Sequence, residues 1–236
     1  MGELARVTAF ERAESVIRQL IAERHDRPSL VSDIACRIGA EIIEGIRHPG
    51  DDLNSVELAR AHATSRTPVR EALMLLEMEG LVEIQARRRP RVATFAPQDV
   101  RDIYEARSAL LELAARSIAT HITGANLAIL RQHLDSMASS LSDPSTYMWA
   151  NVAFHIAQTE ICGNRYLKRV VDSLLLRTLP LRRLSLSQNG RIYRSYDDHA
   201  RLVQSYAESD PNLAASIVHN NHMNALAILE RLLTSR

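Results

Sequence analysis

Apolar positions recur along this chain at two spacings. From Leu30 to Ile46, residues Ile34, Ile38, Ile42 and Ile46 return every four positions, the period of one amphipathic helix. His48-Pro49-Gly50-Asp51 is a turn signal that stops it. Ser55 to His62 reads as a shorter helix with Ser55 as its N-cap. After Ala63-Thr64-Ser65 a third helix runs from about Thr67 to Glu79, with Pro68 suited to its first position and Gly80 closing it. Val69, Ala72, Leu73 and Leu76 form its inner face. The spacing then switches to two: Leu81 to Gln85 and Arg91 to Phe95 alternate as strands do, on either side of an Arg87-Arg88-Arg89-Pro90 loop. Three helices followed by a small β-hairpin, over residues 29–95, is the order of a winged helix-turn-helix.

Residues 1–28 form an Arg- and Glu-rich extension in which Val16, Ile17, Leu20 and Ile21 keep helical spacing and Pro28 ends the helix. Two readings stand: a frayed helix in solvent, or an arm on DNA. Ala96-Pro97-Gln98-Asp99 marks a boundary. From there to residue 236 nearly every segment has helical period, with breaks near Gly124, Asp143-Pro144, Gly163-Asn164, Pro180, Asn189-Gly190 and Asp210-Pro211. The expected fold is therefore mainly α: a winged helix-turn-helix, then an all-α bundle of six or seven helices over 96–236.

Composition changes this picture only at the margins. A length of 236 residues suits two domains, and 46% apolar, 24% charged and 4% aromatic residues are those of an ordinary globular chain. The net charge of +1 means that any affinity for a polyanion must come from a local patch. Two cysteines, Cys36 and Cys162, give no disulfide framework and no CxxC pattern, so a reducing, cytoplasmic setting is expected. The charged N-terminus is no signal peptide, and no apolar run approaches the roughly 20 residues of a membrane span. HExxH, nucleophile-elbow and paired-carboxylate motifs are missing, which argues against an enzyme.

The third helix carries Arg66, Thr67 and Arg70 at its N-terminal end, off the apolar face. Guanidinium groups there can pair with guanine edges in a major groove, and the hydroxyls of Ser65 and Thr67 can reach phosphates. The hairpin tip adds Arg87, Arg88, Arg89 and Arg91, a cationic finger suited to the phosphate backbone or minor groove. Any one of these arginines alone would read as solvated surface; the helix order and the basic wing together read as a DNA-binding face.

The stretch His48-Pro49-Gly50-Asp51-Asp52-Leu53, Glu57-Leu58-Ala59, Ser65-Arg66-Thr67-Pro68-Val69-Arg70-Glu71-Ala72-Leu73 and Leu76-Glu77-Met78-Glu79-Gly80-Leu81-Val82 resembles the GntR family of bacterial regulators. The resemblance implies DNA contacts from Ser65, Arg66, Thr67, Arg70 and the wing residues Arg87, Arg88 and Arg89. The chain departs from the family at Val56, where members often carry Arg, and in a wing built of arginines and Pro90 rather than glycines.

Residues 97–236 resemble the FCD ligand-binding domain of the FadR-type branch, through Arg107, Asn151-Val152-Ala153-Phe154-His155, Gly163-Asn164, His199 and Ser209-Asp210. That resemblance implies an effector pocket, with an organic acid on or near a divalent metal such as Zn or Ni. Asn151 and His155, four apart, share a helix face. The implied metal set is Asn151, His155, His199 and either His222 or Asn221, with Asn151 where relatives use Asp. Asn221 sits mid-stripe between Leu213, Ile217, Ala225, Ile228 and Leu232, His222 lies at the stripe's edge and His219 outside it. Arg107 is either the effector's carboxylate partner or one half of an internal salt bridge. Leu111 stands where relatives usually have Glu.

The expected function is a homodimeric, DNA-binding transcriptional regulator, a repressor released from operator DNA by the effector. The rivals are a metal-dependent enzyme in the helical domain and a constitutive dimeric repressor without effector.

Overall fold

The computed structural model describes residues 2–24 and 29–234; the helix stop expected at Pro28 lies outside the described residues. The chain divides into two compact units. One comprises the residues up to Thr94 with Leu175–Pro180, the other Phe95–Leu174 with Leu181 onward.

The first unit contains α1 (Gly2–Arg24), α2 (Ser29–Ile43), α3 (Ser55–Ala61), α4 (Arg66–Met78), β1 (Val82–Glu83) and β2 (Arg91–Val92). The helix α1 is not a frayed solvent helix. Ala13, Ile17, Leu20 and Ile21 are buried, and α1 packs on α2. Arg18 pairs with Asp33 at 2.5 Å, and the Arg37 guanidinium lies 4.6 Å from the Phe10 ring centroid. Fully burying an Ile is worth about 1.5–3 kcal/mol, so this seam outweighs the weak propensity of an isolated charged helix.

In α4, Val69, Ala72, Leu73 and Leu76 are all buried, as their spacing predicts. Two local expectations change. The N-cap of α3 is Asn54, not Ser55: Asn54 Oδ1 accepts from the Val56 backbone N–H at 3.0 Å. The strands are two residues each rather than five, paired Val82 with Val92 and Glu83 with Arg91. Residues 50–53 flank β2, with Val92 N–H donating to Asp51 O at 3.0 Å and Leu53 N–H to Pro90 O at 2.7 Å. The wing is thus anchored at its base by backbone bonds, with Arg87 and Arg88 on the turn and Arg91 in β2.

The second unit is built of six helices among the described residues: α5 (Pro97–His121), α6 (Gly124–Ala138), α7 (Pro144–Ile161), α8 (Arg165–Leu186, apart from Leu175–Pro180), α9 (Arg191–Ala207) and α10 (Pro211–Thr234). Thr123, Asp143 and Asn164 cap the starts of α6, α7 and α8 through side-chain oxygens. Gly190 takes φ +72° before α9, a left-handed conformation that disfavours side chains. The expected break at Pro180 does not occur. Pro180 lies inside α8, where it leaves one carbonyl of the preceding turn without its usual donor, and the helix continues to Leu186. The core joins Val100 and Tyr104 of α5 to Leu181 of α8 and to Ala225, Leu226 and Leu229 of α10.

The buried face of α10 also differs from expectation. Its buried residues are Ala214, Ala215, Ile217, Val218, His222, Ala225, Leu226 and Leu229, so Ile217 and Ala225 keep their expected places and His222 joins the buried face. Leu213 is exposed, and Asn221 is only half-buried. His222 therefore faces the interior and Asn221 takes the flank.

Candidate functional site

Two surfaces carry chemistry. The first begins at the N-terminus of α4. Ser65 is the N-cap residue with extended backbone (φ −80°, ψ 170°), yet its hydroxyl makes no capping bond. That leaves the hydroxyl and the first backbone N–H groups of α4 facing outward, the arrangement a phosphate accepts. Ser65, Arg66, Thr67 and Arg70 are all exposed, and neither arginine is held by an ion pair among the described residues. The inner face of α4 is committed to the core, which turns these four side chains outward.

On the wing, Arg87, Arg88, Arg89 and Arg91 are exposed. Their tethers differ. Arg91 Nε donates to Asp52 Oδ1 at 2.7 Å, Arg89 Nη1 stands 3.8 Å from Asp52 Oδ2, and Arg88 Nη1 donates to Gln85 Oε1 at 3.1 Å. Arg87, at φ +63°, has no partner among the described residues. Asp52 was not singled out in the sequence, although its acidity beside a basic hairpin is the signal that would have found it.

The second site lies inside the helical unit. Helices α7, α9 and α10 bring Asn151, His155, His199 and His222 together, all buried. His199 Nδ1–H donates to Ser195 O at 2.6 Å and His222 Nδ1–H to Val218 O at 2.8 Å, so the acceptor lone pair of each ring sits on Nε2. His155 Nε2 stands 3.4 Å from His199 Nε2. Phe154 meets the His199 ring edge-on at 4.9 Å between centroids and fixes its plane.

Arginines surround this cluster. Arg182 of α8 donates from Nη1 to Asn151 Oδ1 at 2.6 Å. Because guanidinium only donates, it fixes the amide: the oxygen faces Arg182, and Nδ2 faces His199 Nε2 at 3.2 Å. Arg191 donates from Nη2 to Asn221 Oδ1 at 2.9 Å. Arg107 of α5 is fully enclosed, with Nε and Nη1 unpartnered. It forms no salt bridge within 4 Å among the described residues, and Asp172 is the carboxylate that acts on it at longer range. Leu111 is buried on the same helix, and exposed His219 pairs outside the cluster with Glu112 at 2.9 Å.

Electrostatics follow from this enclosure. Burial pushes His199 down to about 4 and His222 down to about 3, and takes His155 well below the usual imidazole range. Arg182 and Arg107 add to the shift in His155 and His222. Burial lowers Arg107 itself to about 9, with Arg182 contributing. The imidazoles are neutral at pH 7, and their charged neighbours are cations.

The donor set does not fit a divalent metal. Among the described residues no three His, Cys, Asp or Glu side chains stand where they could hold one. Asn151 presents its amide N–H₂ to the centre, and no carboxylate faces the imidazoles to offset a dication beside Arg107 and Arg182. Sequence reasoning missed Arg182 and Arg191. Arg182 interrupts an apolar series of Leu175, Leu179 and Leu186 at helical spacing, which was the available signal.

A helix-turn-helix with a basic wing, followed by a helical unit with a buried cluster of polar side chains, is the arrangement of a DNA-binding transcriptional regulator. Residues 30–92 match the bacterial regulatory proteins of the gntR family, and residues 102–225 match the FCD domain. The chain belongs to the FCD-containing branch of the GntR family. It is 32% identical to the transcriptional regulator LutR of Bacillus subtilis, over 70% of this chain and 85% of that protein. It is 28% identical to the transcriptional repressor GlaR of Escherichia coli, over 81% and 91% respectively. The solved structure of E. coli McbR/YncC shares the fold, with a TM-score of 0.71 and 20% identity over 87% of this chain and 99% of that one. These relatives are regulators of transcription, and the protein is a regulator rather than an enzyme. No helix among the described residues is long and apolar enough to cross a membrane.

Proposed function

We propose that the protein is a homodimeric repressor whose operator complex is dissolved by a small organic acid bound among Arg107, Asn151, His155, His199 and Asn221. The observation that carries the effector half is the buried polar cluster around Arg107, which is 2% exposed and has two N–H donors without acceptors. Unpartnered guanidinium N–H groups in a buried site are suited to accept an anion. The DNA half rests on the outward Ser65, Arg66, Thr67 and Arg70. A two-fold pair of chains would place two α4 helices in successive major grooves of a roughly palindromic site. Two relatives, the gluconate operon transcriptional repressor of Bacillus licheniformis and GlaR of Escherichia coli, are repressors, which supports negative control. Effector binding need only favour the arrangement that does not fit the operator.

The test is fluorescence anisotropy of the purified protein on DNA upstream of its own gene, with and without a panel of organic acids. One or more acids is expected to raise the apparent operator Kd at least about tenfold, equal to roughly 1.4 kcal/mol of coupling. Operator binding that no acid alters, together with no thermal stabilisation by any of them, would contradict the effector half.

A further inference from the structure

The helical unit also carries a cleft of about 300 Å³ where the turn between α8 and α9 meets the end of α10, with Gln188, Gly190, Arg191, Arg194, Ile228 and Arg231 in its lining. None of Arg107, Asn151, His155, His199 or His222 lines it, so it is a different place from the imidazole cluster. Three guanidiniums border it and no carboxylate does. Arg194 and Arg231 are exposed, and their side chains have no hydrogen bond or ion pair among the described residues. Arg191 is 3% exposed; its Nη2 donates to Asn221 Oδ1 at 2.9 Å, while its Nε and Nη1 have no acceptor. Asp198 acts on Arg191 from beyond 4 Å and is shared with Arg194 and Arg201. Glu230, beside Arg231 in the chain, is paired with Arg101. One shared carboxylate against three cations leaves the cleft positive.

The start of α9 adds to this field. Gly190, at φ +72°, is its N-cap residue and has no side chain to close the first turn. The backbone N–H groups of Arg191 and Arg194 donate to Gln188 O and Gly190 O, but those of Ile192 and Tyr193 have no acceptor among the described residues. A helix end left open in this way favours negative charge. We propose that the cleft is a second ligand site, separate from the imidazole cluster, that binds the phosphate group of a small phosphomonoester. Such a group carries about two negative charges at neutral pH and three strong acceptor oxygens, which matches three guanidiniums and one shared carboxylate. A carboxylate offers half that charge and one oxygen fewer. Ile228 supplies an apolar wall for a short carbon body, and the volume lies at the small end of ligand sites.

The test is titration calorimetry on the full chain at low salt. The probes are glycerol phosphate, inorganic phosphate (the same group, no carbon body) and acetate (one carboxylate). Glycerol phosphate is expected to bind with a Kd of about 1 mM or tighter, and acetate about tenfold or more weaker. Inorganic phosphate should bind about threefold weaker than glycerol phosphate, since it leaves Ile228 uncovered. Removing Arg191 would also release Asn221, so the exposed pair carries the test. Arg194→Gln/Arg231→Gln should weaken glycerol phosphate about tenfold or more, with circular dichroism and operator affinity as in wild type. Arg169→Gln, which removes an exposed charge of α8 outside the cleft, should change it by less than about twofold. Equal affinity in wild type and the cleft double variant, an equal loss in Arg169→Gln, or acetate as tight as glycerol phosphate would overturn the inference. So would loss of binding in Arg66→Ala/Arg70→Ala with the cleft variant unaffected, because the phosphate would then sit on the DNA-binding face. Inorganic phosphate tighter than glycerol phosphate would overturn the phosphomonoester assignment. No heat from either phosphate would overturn the site altogether and leave the reading of the imidazole cluster untouched.

Discussion

The wing arginines are not equivalent, and salt dependence of operator binding should expose the difference. Arg87 has no tether, whereas Asp52 holds Arg91 at 2.7 Å and stands 3.8 Å from Arg89. A side chain that neutralises a phosphate releases about 0.9 of a counter-ion, so each such contact contributes about 0.9 to the slope of log K against log salt. With the two wings of the proposed dimer on one operator, Arg87→Ala should lower that slope by about 1.8 and weaken binding to specific and random DNA alike. Arg91→Ala should change the slope by much less, because Asp52 already balances it. Asp52→Ala should act in reverse, freeing two arginines and raising non-specific affinity. The assay is fluorescence anisotropy from about 50 to 200 mM salt, the range in which such contacts dominate. If Arg87→Ala leaves the slope unchanged, or if Arg91→Ala costs as much as Arg87→Ala, the reading of the wing from its tethers is wrong.

Other outcomes follow from the structure. Ile17→Ala should cost about 2–5 kcal/mol in chemical denaturation, because Ile17 is fully buried between α1 and α2; a cost near zero would mean that α1 is not part of the core. Gly190→Ala should cost about 1 kcal/mol for forcing a side chain to φ +72°, read from the same melts. Stability should fall with acid well above the carboxylate range. The unfolded imidazole of His199 takes a proton below about 6.5, while the folded one resists until about 4, so its contribution is complete above pH 6.5 and is lost as pH drops toward 4. That window is worth roughly 3 kcal/mol for His199, and His199→Gln should shrink it by about that share, leaving the parts due to His155 and His222, in denaturation curves run from pH 7 to 4.

Much of the fold was legible because its signals are local. The four-residue return of Ile34, Ile38 and Ile42 and the glycine after α4 needed no tertiary information. The outward placement of Arg66 and Arg70 followed from the apolar face of the same helix. What was not legible depended on partners distant in sequence. The helix α1 looked solvent-bound because its apolar stripe is narrow and only α2 reveals its use. Pro180 signalled a break that the length of α8 absorbs. The buried face of α10 turned on whether Leu213 counts as core; Leu213 is exposed and His222 is buried. Arg182 and Arg191 were invisible as site residues because a buried arginine looks like any other in a sequence. Only the imidazoles and Asn151 beside them give those charges a purpose.

The most direct test of the central claim is DNase footprinting on the region upstream of the protein's own gene, with wild type and an Arg66→Ala/Arg70→Ala variant checked for folding by circular dichroism. Wild type should protect one roughly palindromic site, and the folded double variant should lose that protection while keeping weak, uniform binding through its wing. The same footprint from the folded double variant would contradict the claim that the start of α4 reads the operator.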